Sequence, residues 1–175
     1  VFNEYFGAGL SSIVFQEIRE AKALAYSARA SFNTPSKKEE AHFVTAYVGT
    51  QADKMKDALD AMLQLMNNMP EAEKQFDAAK LSALKEIETE RIIKTDIFWN
   101  YEKLKNLGID YDIRKDIYAG INTISLTDLR NFFNQDIKDK KYNYLVIGKR
   151  DKVNQQVLKS RGEYRELTME EIFGY

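Results

Sequence analysis

The side chains that most often carry out chemistry in proteins are scarce in this sequence. There is one histidine, His42, and there is no cysteine among 175 residues. A catalytic zinc ion is usually held by three protein side chains, most often with two or three histidines among them, so His42 cannot furnish such a site alone. The absence of thiols removes disulfides, thiolate zinc centres, iron–sulfur clusters and cysteine nucleophiles together, but does not choose a compartment. A Ser–His–Asp triad would have to use His42, yet no G-x-S-x-G elbow occurs. Neither a Walker loop nor a G-x-G-x-x-G after a strand is present. His42 instead falls in a strand pattern and reads as a strand residue with a satisfied ring. Glu86, Glu88 and Glu90 lie on different faces of a helical pattern, as a solvated edge does. Met55, Met62 and Met66 fit a packed stripe, and Lys138 to Lys141 form a short basic turn. The 26 basic and 27 acidic residues leave a net charge of −1, which argues against a nucleic-acid partner and against polybasic binding to a membrane. No run approaches the 18 or so apolar residues of a membrane span. Taken alone, these residues equip the chain poorly for catalysis.

The elements that would position any site are those of one α+β domain over 1–175, with a mainly antiparallel sheet and helices on one face. With 44% hydrophobic and 12% aromatic residues, a chain of this length can bury on the order of 70% of its unfolded surface. Val1 to Phe6 reads as the end of a helix entered midway, closed at Gly7-Ala8-Gly9. A helix then follows, capped by Ser11 or Ser12, with Leu10, Val14, Ile18 and Ala21 at helical spacing. From Leu24 to Phe32 the period changes to two, with Leu24, Tyr26, Ala28, Ala30 and Phe32 on one face and Ser27, Arg29 and Ser31 on the other. A polar loop, Asn33 to Glu40, leads to a second strand, Ala41 to Gly49, and the two pair as a hairpin. Helices are expected over Gln51–Met69, from Pro70 in a first turn to about Arg91, over Asp96–Leu107 before Gly108, over Asp112–Ile121, and after the cap Ser125. Tyr142 to Gly148 reads as a buried strand of the same sheet. The tail is expected to hold a short turn or strand near Tyr164–Leu167 and a helical turn near Met169–Ile172.

One block is more specific. Tyr5-Phe6-Gly7-Ala8-Gly9-Leu10-Ser11-Ser12, then Phe15-Gln16-Glu17-Ile18-Arg19-Glu20, then Leu24-Ala25-Tyr26-Ser27, closely resembles the insulinase/pitrilysin family of metallopeptidases. Ala23 stands where that family often has glycine, and Ala8 interrupts a glycine run. The resemblance implies two homologous halves facing each other across a chamber. The zinc is expected in the partner half, in the same or another chain, on an inverted H-x-x-E-H helix. This sequence has no H-x-x-E-H, so it resembles the zinc-free, substrate-binding C-terminal half, with the opening strands and first helix of that half expected upstream of Val1. The fragment alone is expected to be inactive. It carries no metal of its own, and its partners are a peptide substrate and the zinc-bearing half.

The same resemblance implies roles for individual residues. Arg19 and Tyr26, seven positions apart, match an arginine and a tyrosine that contact the substrate carbonyl beside the scissile bond and help to hold the developing oxyanion. A guanidinium and a phenol are both good donors toward developing negative charge. Without the family, Arg19 reads as a solvated helix arginine between Glu17 and Glu20, and Tyr26 as a core tyrosine beside Leu24 and Phe32. Gly7 and Gly9 read equally as a helix C-cap turn or as the family's glycine-rich loop. Two other readings compete: a catalytically inactive structural homologue of the respiratory core-subunit type, and an unrelated α+β binding domain.

Overall fold

The computed structural model describes residues 1–175, and its core is assembled around three aromatic residues at the start of the chain. Phe2–Phe6 forms one short helix, α1, that buries Phe2, Tyr5 and Phe6. Phe2 stacks on Phe6 at 5.2 Å and meets Phe132 edge-on at 5.3 Å. Phe6 lies 6.0 Å from Phe133, and Tyr5 packs against Phe76 at 6.2 Å. Offset and edge-on ring pairs of this kind add about 0.5–1.5 kcal/mol each beyond burial. The Tyr5 phenol donates to the Pro70 carbonyl (2.6 Å) and accepts from the Ala72 N–H (3.0 Å). Burial pushes its pKa above the ordinary tyrosine value, so it remains a donor.

The chain continues through a π-helix, Phe15–Ala21, into β1 (Ser27–Asn33) and β2 (Phe43–Gly49). The two strands pair antiparallel from Ser27↔Gly49 to Asn33↔Phe43. Helices follow at Met55–Asn67 (α2), Glu73–Thr89 (α3), Lys94–Asn106 (α4), Arg114–Thr123 (α5), Leu126–Asp136 (α6), Gln155–Lys159 (α7) and Met169–Phe173 (α8). Ala28 and Ala30 of β1 are buried with Met62 and Met66 of α2, Phe76 and Ala79 of α3, and Leu129 and Phe133 of α6. Helices therefore cover one face of the hairpin, and the face bearing Arg29, Thr45 and Tyr47 is open. Arg161, from the turn after α7, reaches Asp60 of α2 and ties the tail to the body. No helix is long and apolar enough to cross a membrane.

Several expectations are corrected. Tyr142–Gly148 forms no strand, and the sheet has two strands. The outer edge of β1 is already occupied, because the Asn3 amide donates to the Phe32 carbonyl (3.0 Å) and accepts from its N–H (2.8 Å). The Gly7 carbonyl accepts from the Ala30 N–H (3.2 Å). Tyr142 turns inward to donate to the Ile137 carbonyl (2.8 Å), while Leu145 and Ile147 stay 79% and 90% exposed. The segment 15–21 is π-helical rather than α-helical, and of the expected stripe Val14 and Ile18 are buried while Leu10 and Ala21 are exposed. Pro70 precedes α3 by three residues, because Tyr5 binds the connecting backbone on both sides of Glu71. His42 sits just before β2, exposed, with its ring stacked on Phe32 at 5.2 Å. Residues 163–168 have no regular structure, and α7, capped by Asn154, had no apolar period to announce it.

Candidate functional site

The joint between the π-helix and β1 positions the two residues singled out above. Ala23, at the joint, has φ +49°, the left-handed region that costs a residue with a Cβ roughly 1–2 kcal/mol. Three contacts hold it there: the Leu24 N–H to the Ile18 carbonyl (3.0 Å), the Lys54 ammonium to the Ala23 carbonyl (3.1 Å), and the Thr50 hydroxyl to the Leu24 carbonyl (2.5 Å). Ala23→Gly relieves the strain at some entropic cost to the unfolded chain. It is expected to raise stability by up to about 1 kcal/mol, measured as a higher urea midpoint at unchanged slope.

Tyr26 follows the joint, and its N–H donates to the Gly49 carbonyl at 2.8 Å. Gly49 is also the register partner of Ser27. Two residues therefore oppose one, the arrangement of a β-bulge, and strict alternation breaks at Tyr26. This overturns the core-tyrosine expectation, for Tyr26 is 86% exposed. Arg19, the other residue of the pair, reaches it across the joint. The guanidinium carbon stands 5.8 Å from the Tyr26 ring centroid and 4.7 Å from that of Phe15. The Arg19 ion pair with Glu20 is long, 3.6 Å, and exposed on both sides; such a pair contributes roughly 0–1 kcal/mol and leaves the guanidinium free to accept another anion. A fixed cation and a phenol thus share one open surface, a donor set suited to a carbonyl oxygen that gains charge.

Gly7 and Gly9 belong to the loop before the π-helix and line, with Phe15, a neighbouring cleft that includes neither Arg19 nor Tyr26. Gly7 is the C-cap of α1, with φ −135°, so it is not there to supply a left-handed turn. A Cβ on Gly7 would stand 1.9 Å from the Ala30 carbonyl oxygen and 2.5 Å from its carbon. Only glycine lets the loop lie on β1. Gly9 does adopt the left-handed region, φ +79°, in open space. Its carbonyl accepts from the buried Ser12 hydroxyl (2.9 Å), whose oxygen in turn accepts from the Phe15 N–H (3.4 Å). Ser12 is thus the expected cap of the segment that carries Arg19. Between this loop and the open face of the hairpin lies a cleft of about 510 Å³.

Sequence reasoning did not single out Phe15, Arg29 or Tyr47. Alternation put Arg29 on the polar face, and the hairpin register sets it opposite Tyr47, with the guanidinium 4.8 Å from the Tyr47 ring centroid. No group of three or more His, Cys, Asp or Glu side chains converges on a position for a metal ion.

Residues 1–87 match the family described as the peptidase M16 inactive domain. No curated protein matches the chain. Among solved structures the chain is similar to a protease from Helicobacter pylori, with a TM-score of 0.58 and 18% identity over 77% of this chain. The match spans 32% of that protein's length, and at this identity it speaks for the fold.

Proposed function

We propose, from the match of residues 1–87 to the inactive domain of the insulinase/pitrilysin, or M16, peptidases, that this half binds peptide substrate for a zinc-bearing half, with Arg19 and Tyr26 as donors to the substrate carbonyl. The observation that carries this reading is the approach of the Arg19 guanidinium to within 5.8 Å of a Tyr26 ring that is 86% exposed. Exposure leaves the Tyr26 phenol open to a ligand beside the guanidinium. In the assembled enzyme the zinc and the general base belong to the opposite half. Arg19 and Tyr26 hold the scissile carbonyl against that half and stabilise the charge that develops on its oxygen. Preorganisation comes from the joint, where Ala23, Lys54 and Thr50 fix the relative positions of helix and strand.

Reconstitution tests this function. The purified, chelator-washed chain is expected to carry no stoichiometric zinc and to cleave no peptide. Peptidase activity is expected when it is combined with the zinc-bearing half. Stoichiometric zinc in this chain, or a zinc-bearing half that is fully active without it, would overturn the proposal.

A further inference from the structure

The open face of the hairpin carries a feature that the carbonyl contact does not use. The cleft beside the glycine-rich loop has apolar walls at Leu10 and Phe15, and Arg29 is the one charged residue lining it. Arg29 is exposed, so its charge is available to a ligand. Tyr47 steadies it from the opposite strand, with the guanidinium carbon 4.8 Å from the ring centroid. The Tyr47 ring can lie flat along β2 because the next residue on that face is Gly49; a Cβ there would stand 3.1 Å from the Tyr47 hydroxyl oxygen. The Ser31 and Thr45 hydroxyls on the same face are bonded to each other at 3.0 Å, leaving Arg29 as the dominant donor.

This cleft and the carbonyl site share one side chain. Phe15 lines it and also carries the Arg19 guanidinium against its ring at 4.7 Å. Along β1, Arg29 lies three residues beyond Tyr26, roughly 10 Å at the rise of a strand. An extended peptide whose carbonyl meets Arg19 and Tyr26 therefore brings a side chain about three residues away over Arg29. We infer that the cleft under Arg29 and Tyr47 is a specificity subsite for an acidic side chain of the peptide substrate. A single guanidinium fork matches one carboxylate, and the absence of a second cation among the lining residues does not suit a phosphate backbone. The inference rests on the carbonyl-binding reading and adds the substrate class to it.

The test measures binding by the intact chain, with no catalysis required. The probes are fluorescein-labelled, unstructured Ala-Ser peptides that differ at one position, Glu, Gln or Lys, followed by fluorescence anisotropy at low salt. The Glu peptide is expected to bind roughly fivefold more tightly than the Gln peptide, the upper range for an exposed ion pair, and the Lys peptide most weakly. Arg29→Gln is expected to erase the discrimination and Arg29→Glu to reverse it, with thermal melts confirming that both fold. In the parent chain the preference is expected to fade toward 1 M salt, where the Debye length is about 3 Å. Equal affinities for the three peptides, or a preference that survives in Arg29→Gln, would overturn the inference. If the peptides bind without charge preference and Arg19→Ala abolishes that binding, only the subsite fails. If none of the peptides binds, the carbonyl-binding reading fails with it.

Discussion

Arg19→Ala in the assembled two-half enzyme is expected to lower turnover by roughly 100–1,000-fold, the loss of about 2.7–4 kcal/mol that follows removal of one preorganised oxyanion donor. Tyr26→Phe is expected to behave alike, and the double variant to lose less than the sum, because two donors that serve one oxygen are not independent. The fold has little stake in either side chain. Tyr26 is 86% exposed, so deleting its hydroxyl leaves no buried partner unsatisfied. Arg19 gives up a long surface pair with Glu20 and its contacts with the Phe15 and Tyr26 rings, about 0.5–1 kcal/mol for such exposed cation–ring contacts. Kinetics and melting curves therefore separate: kcat falls while Tm stays nearly constant. Full activity in both single variants would remove the oxyanion role and favour the inactive structural homologue of the core-subunit type.

Gly7→Ala is expected to do the reverse and damage the fold directly. The added methyl group would meet the Ala30 carbonyl oxygen at 1.9 Å, together with the Ala30 carbon and nitrogen at 2.5 and 2.6 Å. These are backbone atoms of β1 and cannot swing aside as the end of a flexible side chain can. Either the loop lifts from the strand, breaking the Ala30 N–H bond to the Gly7 carbonyl, or β1 moves away from α1. Overpacking usually costs 1–3 kcal/mol, and a clash with backbone belongs at or above the top of that range. At about 3 kcal/mol, Tm falls by roughly 6–12 °C for a chain of this size. Gly9→Ala meets no neighbouring atom and bears only the left-handed strain of about 1–2 kcal/mol. A Gly7 variant no less stable than the Gly9 variant would show that the loop does not rest on β1 as described.

The hairpin and the order of the helices were legible because each rests on local period. Ala28 and Ala30 alternate with Arg29 and Ser31, and Met55, Met62 and Met66 recur on one helical stripe. Three features escaped that logic. Parity places Tyr26 on the core face, and the second residue opposite Gly49 breaks that parity. Tyr142 to Gly148 is apolar without a period of its own, and an apolar run does not reveal whether the segment pairs with a strand. Pro70 suits a helix start, but the Tyr5 phenol, far away in sequence, fixed the backbone around it. In the site, the spacing of Arg19 and Tyr26 could be read directly from the sequence. Arg29 and Tyr47 needed the cross-strand register before they became neighbours.

The Asn3 side chain has a consequence for how copies of the chain can meet. By pairing its amide with both backbone groups of Phe32, it closes the sheet along that margin, while the outer margin of β2 has no strand beside it. Exposed margins are where sheets recruit other chains. With one margin closed, recruitment here terminates itself: two molecules that join through their β2 strands present only closed margins to a third. Open-ended growth, which needs two sticky sides on every copy, is blocked by the Asn3 carboxamide together with the Gly7 carbonyl on Ala30.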